Sequence, residues 1–170
     1  MSFGSRQRPA RVWTPAKVRT YLSTLLARRS WSRQGLLDRL QERGVPADGA
    51  QAAVADLESL GYVDDERYAE GWAQARAQRG LGARRIAEEL KQKGVGRDLA
   101  ARAARESFRD VGEAARAREV ALRRLPALVA RGKTQAPIRL RTFLLRRGFP
   151  PKVVSSMIRS LFGVKPDELH

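Results

Sequence analysis

Hydrophobic residues recur in this chain at helical spacing, three or four positions apart, in a succession of short segments. The first such segment places Val18, Leu22, Leu25 and Leu26 on one helix face. No segment alternates apolar and polar residues between hairpin turns, so the pattern requires no strand. The pattern therefore predicts an all-α chain.

One arrangement of leucine and glycine occurs three times. In each copy a leucine stands four positions before a glycine, and a hydrophobic residue follows the glycine. The copies are Leu40, Gly44 and Val45; Leu90, Gly94 and Val95; and Leu144, Gly148 and Phe149. A glycine that ends a helix in the left-handed conformation brings the next residue against that leucine in a Schellman motif. The glycines lie 50 and 54 residues apart, which predicts a repeat of about 50 residues.

Each repeat is predicted to contain three helices. The predicted divisions are a basic flexible arm at 1–13, repeats at 14–63, 64–112 and 113–163, and a tail at 164–170. Because a unit of this size buries little core alone, neighbouring repeats are expected to pack into an elongated array. Pro126 is predicted to kink or end the first helix of the third repeat.

The adjacent aspartates Asp64 and Asp65 follow a fourth copy of the helix ending, in which Tyr62 after Gly61 is expected to fold back on Leu57. One of the aspartates is predicted to cap the next helix, whose positive end favours carboxylates. A metal site and a catalytic pair are the alternatives. The helix-cap interpretation is preferred. It commits these side chains to backbone N–H groups, and they then have little capacity left for acid–base chemistry.

Charge is distributed unevenly along the chain, whose formal net charge is +16. Residues 1–50 hold 10 basic and 3 acidic groups, residues 51–112 hold 11 of each, and residues 113–170 hold 13 and 4. Two basic regions around a neutral one suggest two contact zones for a polyanion. The alternative is a general enrichment of arginine on the surface.

No Ser–His–Asp or Cys–His catalytic constellation can be assembled from this sequence. There is no cysteine, which excludes disulfides and thiolate chemistry and suits a reducing cytoplasm, and the single histidine is the terminal His170. The stretch GLGARR at 80–85 looks like a phosphate cradle but lacks the Walker pattern and a preceding strand. The sequence contains no run of about 18 apolar residues, so no membrane-spanning helix is predicted. We predict a cytoplasmic protein that is not an enzyme and uses no cofactor or metal.

Basic residues at helical spacing are the candidate binding groups. Arg139 and Arg146 share a helix face, as do Arg84 and Lys91, and guanidinium groups grip phosphate or carboxylate in bidentate fashion. The predicted partner-binding residues are Arg76, Arg84, Arg85, Lys91, Lys93, Arg139, Arg141, Arg146 and Arg147. A solvated helix face is the alternative. Trp72 could stack on a base, but its spacing from Tyr68 favours a core position.

Two stretches resemble the RecX family of regulatory proteins. The first is LGYVDDERYAEGWAQARAQRGLGARRIAEELKQKGV at 60–95, and the second is LRTFLLRRGFPPKVV at 140–154. The matching positions in the first stretch are Gly61, Tyr62, Asp64, Asp65, Tyr68, Ala69, Arg76, Gly80, Arg85, Ile86, Leu90, Lys93 and Gly94. The second stretch is similar to the family's third-repeat pattern, whereas residues 14–63 match only through the repeat spacing.

The resemblance implies three tandem three-helix repeats in a protein that binds filaments of the RecA recombinase on single-stranded DNA. It further implies inhibition of ATP hydrolysis and strand exchange, and so a role in recombination, DNA repair and the SOS response. A monomer is expected. Direct binding of single-stranded nucleic acid in competition with RecA is the alternative, because basic three-helix units resemble DNA-reading folds. A helical scaffold unrelated to recombination is a third possibility.

Overall fold

The computed structural model describes residues 12–163, and within this range every regular element is a helix. The helices are α1 (Pro15–Leu26), α2 (Arg33–Glu42), α3 (Ala47–Ser59), α4 (Asp65–Gln78), α5 (Ala83–Gln92), α6 (Arg97–Glu106), α7 (Glu113–Ala130), α8 (Ala136–Arg146) and α9 (Pro151–Phe162). The predicted all-α class is confirmed. Most of the predicted N-terminal arm, and the whole predicted tail with His170, lie outside the described residues.

The helices form three successive triplets, each around its own hydrophobic core, as the repeat pattern predicts. The cores centre on Leu22, Leu36 and Leu40 in the first triplet, Ile86 and Leu90 in the second, and Leu140, Leu144 and Phe149 in the third, all with no exposed surface. The chain divides into two compact units. One ends at Asp64 and holds α1–α3, and the other begins at Asp65 and holds α4–α9.

The three leucine–glycine copies end α2, α5 and α8 as Schellman motifs. The residue after each glycine donates its N–H to the leucine carbonyl, Val45 to Leu40 at 3.0 Å, Val95 to Leu90 at 3.1 Å and Phe149 to Leu144 at 3.3 Å. The glycines have φ of +74°, +80° and +87°, a region that penalises any side chain. Local chemistry alone therefore sets the ends of these helices.

The same device ends α3 and α4. At Gly61 the N–H of Tyr62 donates to the carbonyl of Leu57 at 2.9 Å, as predicted. The Tyr62 side chain nevertheless stays 68% exposed, and Val63 takes the buried position. At Gly80, in the stretch that looks like a phosphate cradle, the N–H of Leu81 donates to the carbonyl of Arg76 at 3.1 Å.

Pro126 lies inside α7, which continues without a break from Glu113 to Ala130. The predicted early stop is therefore wrong. Proline removes one helical hydrogen bond and crowds the preceding turn, but Val120, Ala121 and Leu128 on both sides of it are buried in the third core. Packing of the flanking turns keeps the segment helical.

The aspartate pair occupies the position predicted for helix punctuation. Asp64 directly precedes α4, and Asp65 and Glu66 lie in its first turn, where the helix dipole favours negative charge. Residues 12–163 contain no group of three histidine, cysteine, aspartate or glutamate side chains arranged to hold a metal ion. Nor does any helix in this range have the length and apolar character needed to cross a membrane.

Candidate functional site

The second and third repeats meet through direct backbone contact. The N–H of Gly82, just before α5, donates to the carbonyl of Arg147 at the end of α8 at 2.8 Å. A Cβ atom on Gly82 would lie 2.5 Å from the carbonyl carbon of Gly148, and one on Gly148 would overlap the backbone of Arg85. Only glycine lets these two backbone segments of the chain approach each other this closely.

Two charged side chains complete this junction. Arg147 donates from Nη1 to the carbonyls of Arg79 at 2.9 Å and Gly80 at 3.1 Å, which belong to the end of α4. Glu113, the first residue of α7, accepts the N–H of Ala83 at 2.7 Å. The first N–H group of α5 is therefore satisfied by a carboxylate of the next repeat.

A basic groove lies where α5 faces α8. Arg84, Arg85 and Arg146 line it together with Glu88, Leu145 and Gly148, around a volume of about 320 Å³. We call these six residues the α5–α8 groove. Glu88 forms an ion pair with Lys91, in which Nζ of Lys91 lies 2.5 Å from Oε2 of Glu88. The hydrogen bond from Lys91 lowers the pKa of Glu88 below its ordinary value.

Three of the predicted partner-binding residues, Arg84, Arg85 and Arg146, thus lie in one groove although they belong to two repeats. Arg84 and Arg146 are exposed, and Nη2 of Arg84 lies 3.5 Å from the Leu145 carbonyl across the groove. Their guanidinium groups can receive phosphate or carboxylate oxygens from a partner.

Other predicted residues take part in contacts within the second repeat. Nε of Arg76 lies 2.8 Å from Oε2 of Glu89, and the Arg76 guanidinium lies 4.4 Å from the Trp72 ring centre. Arg85 reaches the other oxygen of Glu89 at 3.3 Å, and Lys93 lies 5.5 Å from the Trp72 ring. Trp72 packs against the second core, as predicted.

The comparisons with known proteins agree on one family. Residues 64–103 match the family model of the second three-helix domain of RecX. The regulatory protein RecX of Thermobifida fusca (strain YX) is 37% identical over 147 residues, which cover 85% of this chain and 78% of that protein. The chain belongs to the RecX family of regulatory proteins. RecX of Pseudomonas entomophila (strain L48) is 33% identical over 145 residues, or 85% and 92% of the two chains.

Solved RecX structures share the fold. The crystal structure of RecX from Lactobacillus salivarius superposes with a TM-score of 0.76, covers 88% of this chain and 97% of its own, and is 18% identical. A second RecX crystal structure gives 0.74 at 20% identity, over 86% and 71% of the two chains. The helical repeat arrangement is therefore that of RecX, and the chain has the regulatory character of its family.

The remaining predicted residues of this RecX-family chain lie on α8 or directly after it and serve different tasks. Arg139 and Arg141 are exposed, and Arg139 donates to the carbonyl of Arg131 at 3.0 Å. Arg147 is half-buried and joins the repeats, whereas its neighbour Arg146 is exposed in the groove. The role of all nine predicted residues in partner binding remains a prediction.

Sequence reasoning missed three arginines that the fold brings beside Arg147. Arg79, Arg123 and Arg124 line a second cavity with it, next to Phe143. Arg123 and Arg124 lie on α7, and Arg79 directly follows α4. No repeat or helical spacing in the sequence relates these positions to one another. The only signal was composition, since residues 113–163 hold twelve lysines and arginines but only Glu113 and Glu119 as carboxylates.

Glu113 gives the junction a pH dependence. Burial raises the pKa of Glu113 above its ordinary 4.5, and the hydrogen bond from Ala83 lowers it by less. A raised folded-state pKa means that this carboxyl stabilises the fold fully below the ordinary value and less as pH rises through the folded value. Glutamine keeps a neutral acceptor, so the stability of Glu113→Gln relative to the native chain should rise from pH 4 to pH 7.

Urea unfolding at several pH values measures this difference. Glu113→Ala is the companion variant, because it removes the acceptor and leaves the Ala83 N–H without this partner. That change should cost about 1–3 kcal/mol at pH 4, and the cost should shrink toward pH 7 because the native carboxyl then contributes less stability. A difference between Glu113→Gln and the native chain that does not change with pH would contradict the assignment.

Proposed function

We propose that this RecX-family protein binds RecA filaments assembled on single-stranded DNA and inhibits their ATP hydrolysis and strand exchange. Recombination, DNA repair and the SOS response would be limited as a result. The observation that supports this most is the α5–α8 groove. It is built from the two stretches, 60–95 and 140–154, in which the sequence resembles the family, and these stretches meet in space.

The groove suits binding to a polymer that carries negative charge. Arg84 and Arg146 belong to different repeats and are held at one opening by the backbone contact of Gly82 with Arg147. Because the backbones that carry Arg84 and Arg146 are joined before binding, the two repeats need no rearrangement for both side chains to meet phosphate or carboxylate. A surface with fixed spacing can prefer one arrangement of filament subunits over another.

Inhibition then follows from a shift of population. A protein that binds one filament state more tightly than another stabilises that state by the difference in binding free energy. If the stabilised state hydrolyses ATP slowly, the measured rate falls without any chemistry by the inhibitor. This mechanism requires no catalytic residue in the helical repeats.

The test is a titration of this protein into RecA on single-stranded DNA while ATP hydrolysis is followed. We expect the steady-state rate to fall by more than half at or below one protein per RecA subunit. An unchanged rate at equimolar protein would contradict the proposal.

Direct competition for DNA is a second candidate, and the excess of basic residues in the third repeat favours it. Under competition, inhibition should disappear when single-stranded DNA is in large excess over RecA, and it should weaken steeply with salt. Under filament binding, inhibition should persist with saturating DNA and scarce RecA. Measuring the inhibition at low and at saturating concentrations of single-stranded DNA therefore distinguishes the two candidates.

A further inference from the structure

Four arginines converge on a cavity at the junction of the second and third repeats. The cavity has a volume of about 260 Å³. It is lined by Gln78, Arg79, Gly80, Val120, Arg123, Arg124, Phe143 and Arg147, which we call the arginine cleft. None of these lining residues carries a carboxylate. The cleft lies wholly within the second compact unit.

The arginines of the cleft are held in different ways. Arg147 is fixed by its hydrogen bonds to the carbonyls of Arg79 and Gly80. Arg123 forms an ion pair with Glu119, one turn earlier on α7. Glu119 is shared with Arg116 at 2.7 Å, so this one carboxylate already serves two guanidinium groups.

Phe143 orients two of the guanidinium groups. The Arg147 guanidinium lies 4.9 Å from the ring centre, and that of Arg124 lies 5.6 Å from it. Both distances are within the range of an attractive cation–π contact. The ring therefore positions two like charges near each other without supplying a negative charge to neutralise them.

Charge and size together indicate the ligand. Arg79, Arg124 and Arg147, which no lining carboxylate neutralises, concentrate positive potential, and the planar donors of their guanidinium groups match phosphate oxygens. Pockets that enclose whole small molecules measure about 300–1,000 Å³, and this cleft is smaller. It suits one phosphate group of a chain that runs across it better than a complete nucleotide.

We infer that the arginine cleft binds a phosphodiester group of single-stranded nucleic acid. Arg79 and Arg124, which are exposed, contact the phosphate directly, and Arg147 contributes from its fixed position. The inference rests on the proposed function in one respect: the nucleic acid strand is taken to be the single-stranded DNA of the RecA filament. The contact itself requires no RecA.

The test measures binding of a fluorescent oligothymidylate to the full chain by anisotropy, without RecA, at several salt concentrations. The double variant Arg79→Gln with Arg124→Gln should bind about tenfold more weakly at low salt. The slope of log affinity against log salt should fall by about 0.7 for each phosphate group that the variant no longer neutralises. Arg79→Lys with Arg124→Lys keeps both charges and should retain most of the affinity.

A matched control removes the same charge elsewhere. Arg97 and Arg105 are exposed on α6 and do not line the cleft, so changing both to glutamine should alter affinity by about twofold at most. Equal losses of affinity in the two glutamine pairs would overturn the inference, because net charge alone would then explain the binding. Circular dichroism of each variant confirms that its helices are retained.

Free nucleotide is the other possible source of phosphate. ATP and inorganic pyrophosphate are therefore used as competitors, and displacement of the oligothymidylate at equal phosphate concentration would overturn the assignment to a nucleic-acid strand. ATPase inhibition of RecA is measured separately. A native chain that binds oligothymidylate through the cleft but does not inhibit RecA would contradict the proposed function and leave the cleft assignment standing.

Discussion

Replacing Gly148 with alanine should destabilise the second compact unit by about 3 kcal/mol or more. Two costs combine at this position. Its φ of +87° penalises a Cβ atom, and that atom would overlap the backbone N and Cβ of Arg85. Backbone cannot rotate away as a side chain can, so α5 and α8 would have to separate.

Gly82→Ala should cause a comparable destabilisation from the other side of the contact. Its Cβ atom would lie 2.5 Å from the backbone of Gly148 and Phe149, and separation would break the Gly82 to Arg147 hydrogen bond. Urea unfolding, followed by circular dichroism, measures both variants.

Gly71→Ala is the matched control, because Gly71 lies within α4 and no atom stands within 4 Å of its added Cβ. It should stabilise the helix by about 0.5–1 kcal/mol. If Gly148→Ala and Gly71→Ala unfolded at the same urea concentration, the close backbone contact between the repeats would be wrong.

Reversing the charge of Arg84 and Arg146 together should remove most of the proposed inhibition of RecA. A hydrogen bond to a charged group contributes about 1.5–3 kcal/mol, so the removal of two predicts binding weaker by roughly 100-fold or more. Both side chains are exposed in the α5–α8 groove, so Arg84→Glu with Arg146→Glu should keep the helices intact. The measurement is the protein concentration that halves ATP hydrolysis by RecA on single-stranded DNA.

Arg97→Glu with Arg105→Glu produces the same change of net charge on α6, away from the groove. If this control reduced inhibition to the same degree, binding would depend on total charge and the groove would have no special part. Arg147 is unsuitable for charge reversal. Its bonds to the carbonyls of Arg79 and Gly80 join the repeats, so replacing it would mix a folding defect with a binding defect.

The helix ends were predictable because their chemistry is local. A Schellman motif joins residues five positions apart, so Leu40, Leu90 and Leu144 could be matched to their glycines by counting along the chain. Asp64 could be placed before α4 for the same reason. Pro126 shows the limit of such reasoning, since burial on both sides of it keeps α7 helical.

The candidate site was predictable only as separate residues. Arg84 and Arg146 were identified as basic positions on helix faces, but nothing local shows that they share one groove. Arg79 and Arg124 were missed, because the cleft joins positions that are 45 residues apart in the sequence.

By itself the sequence determined the helical class, the ends of α2, α3, α5 and α8 and the grouping of the helices by threes, because hydrogen bonds and apolar spacing within a few residues decide these features. Only the tertiary structure decided which basic side chains meet. That depends on the approach of Gly82 to Gly148, where two backbones separated by 66 positions touch because neither carries a Cβ atom.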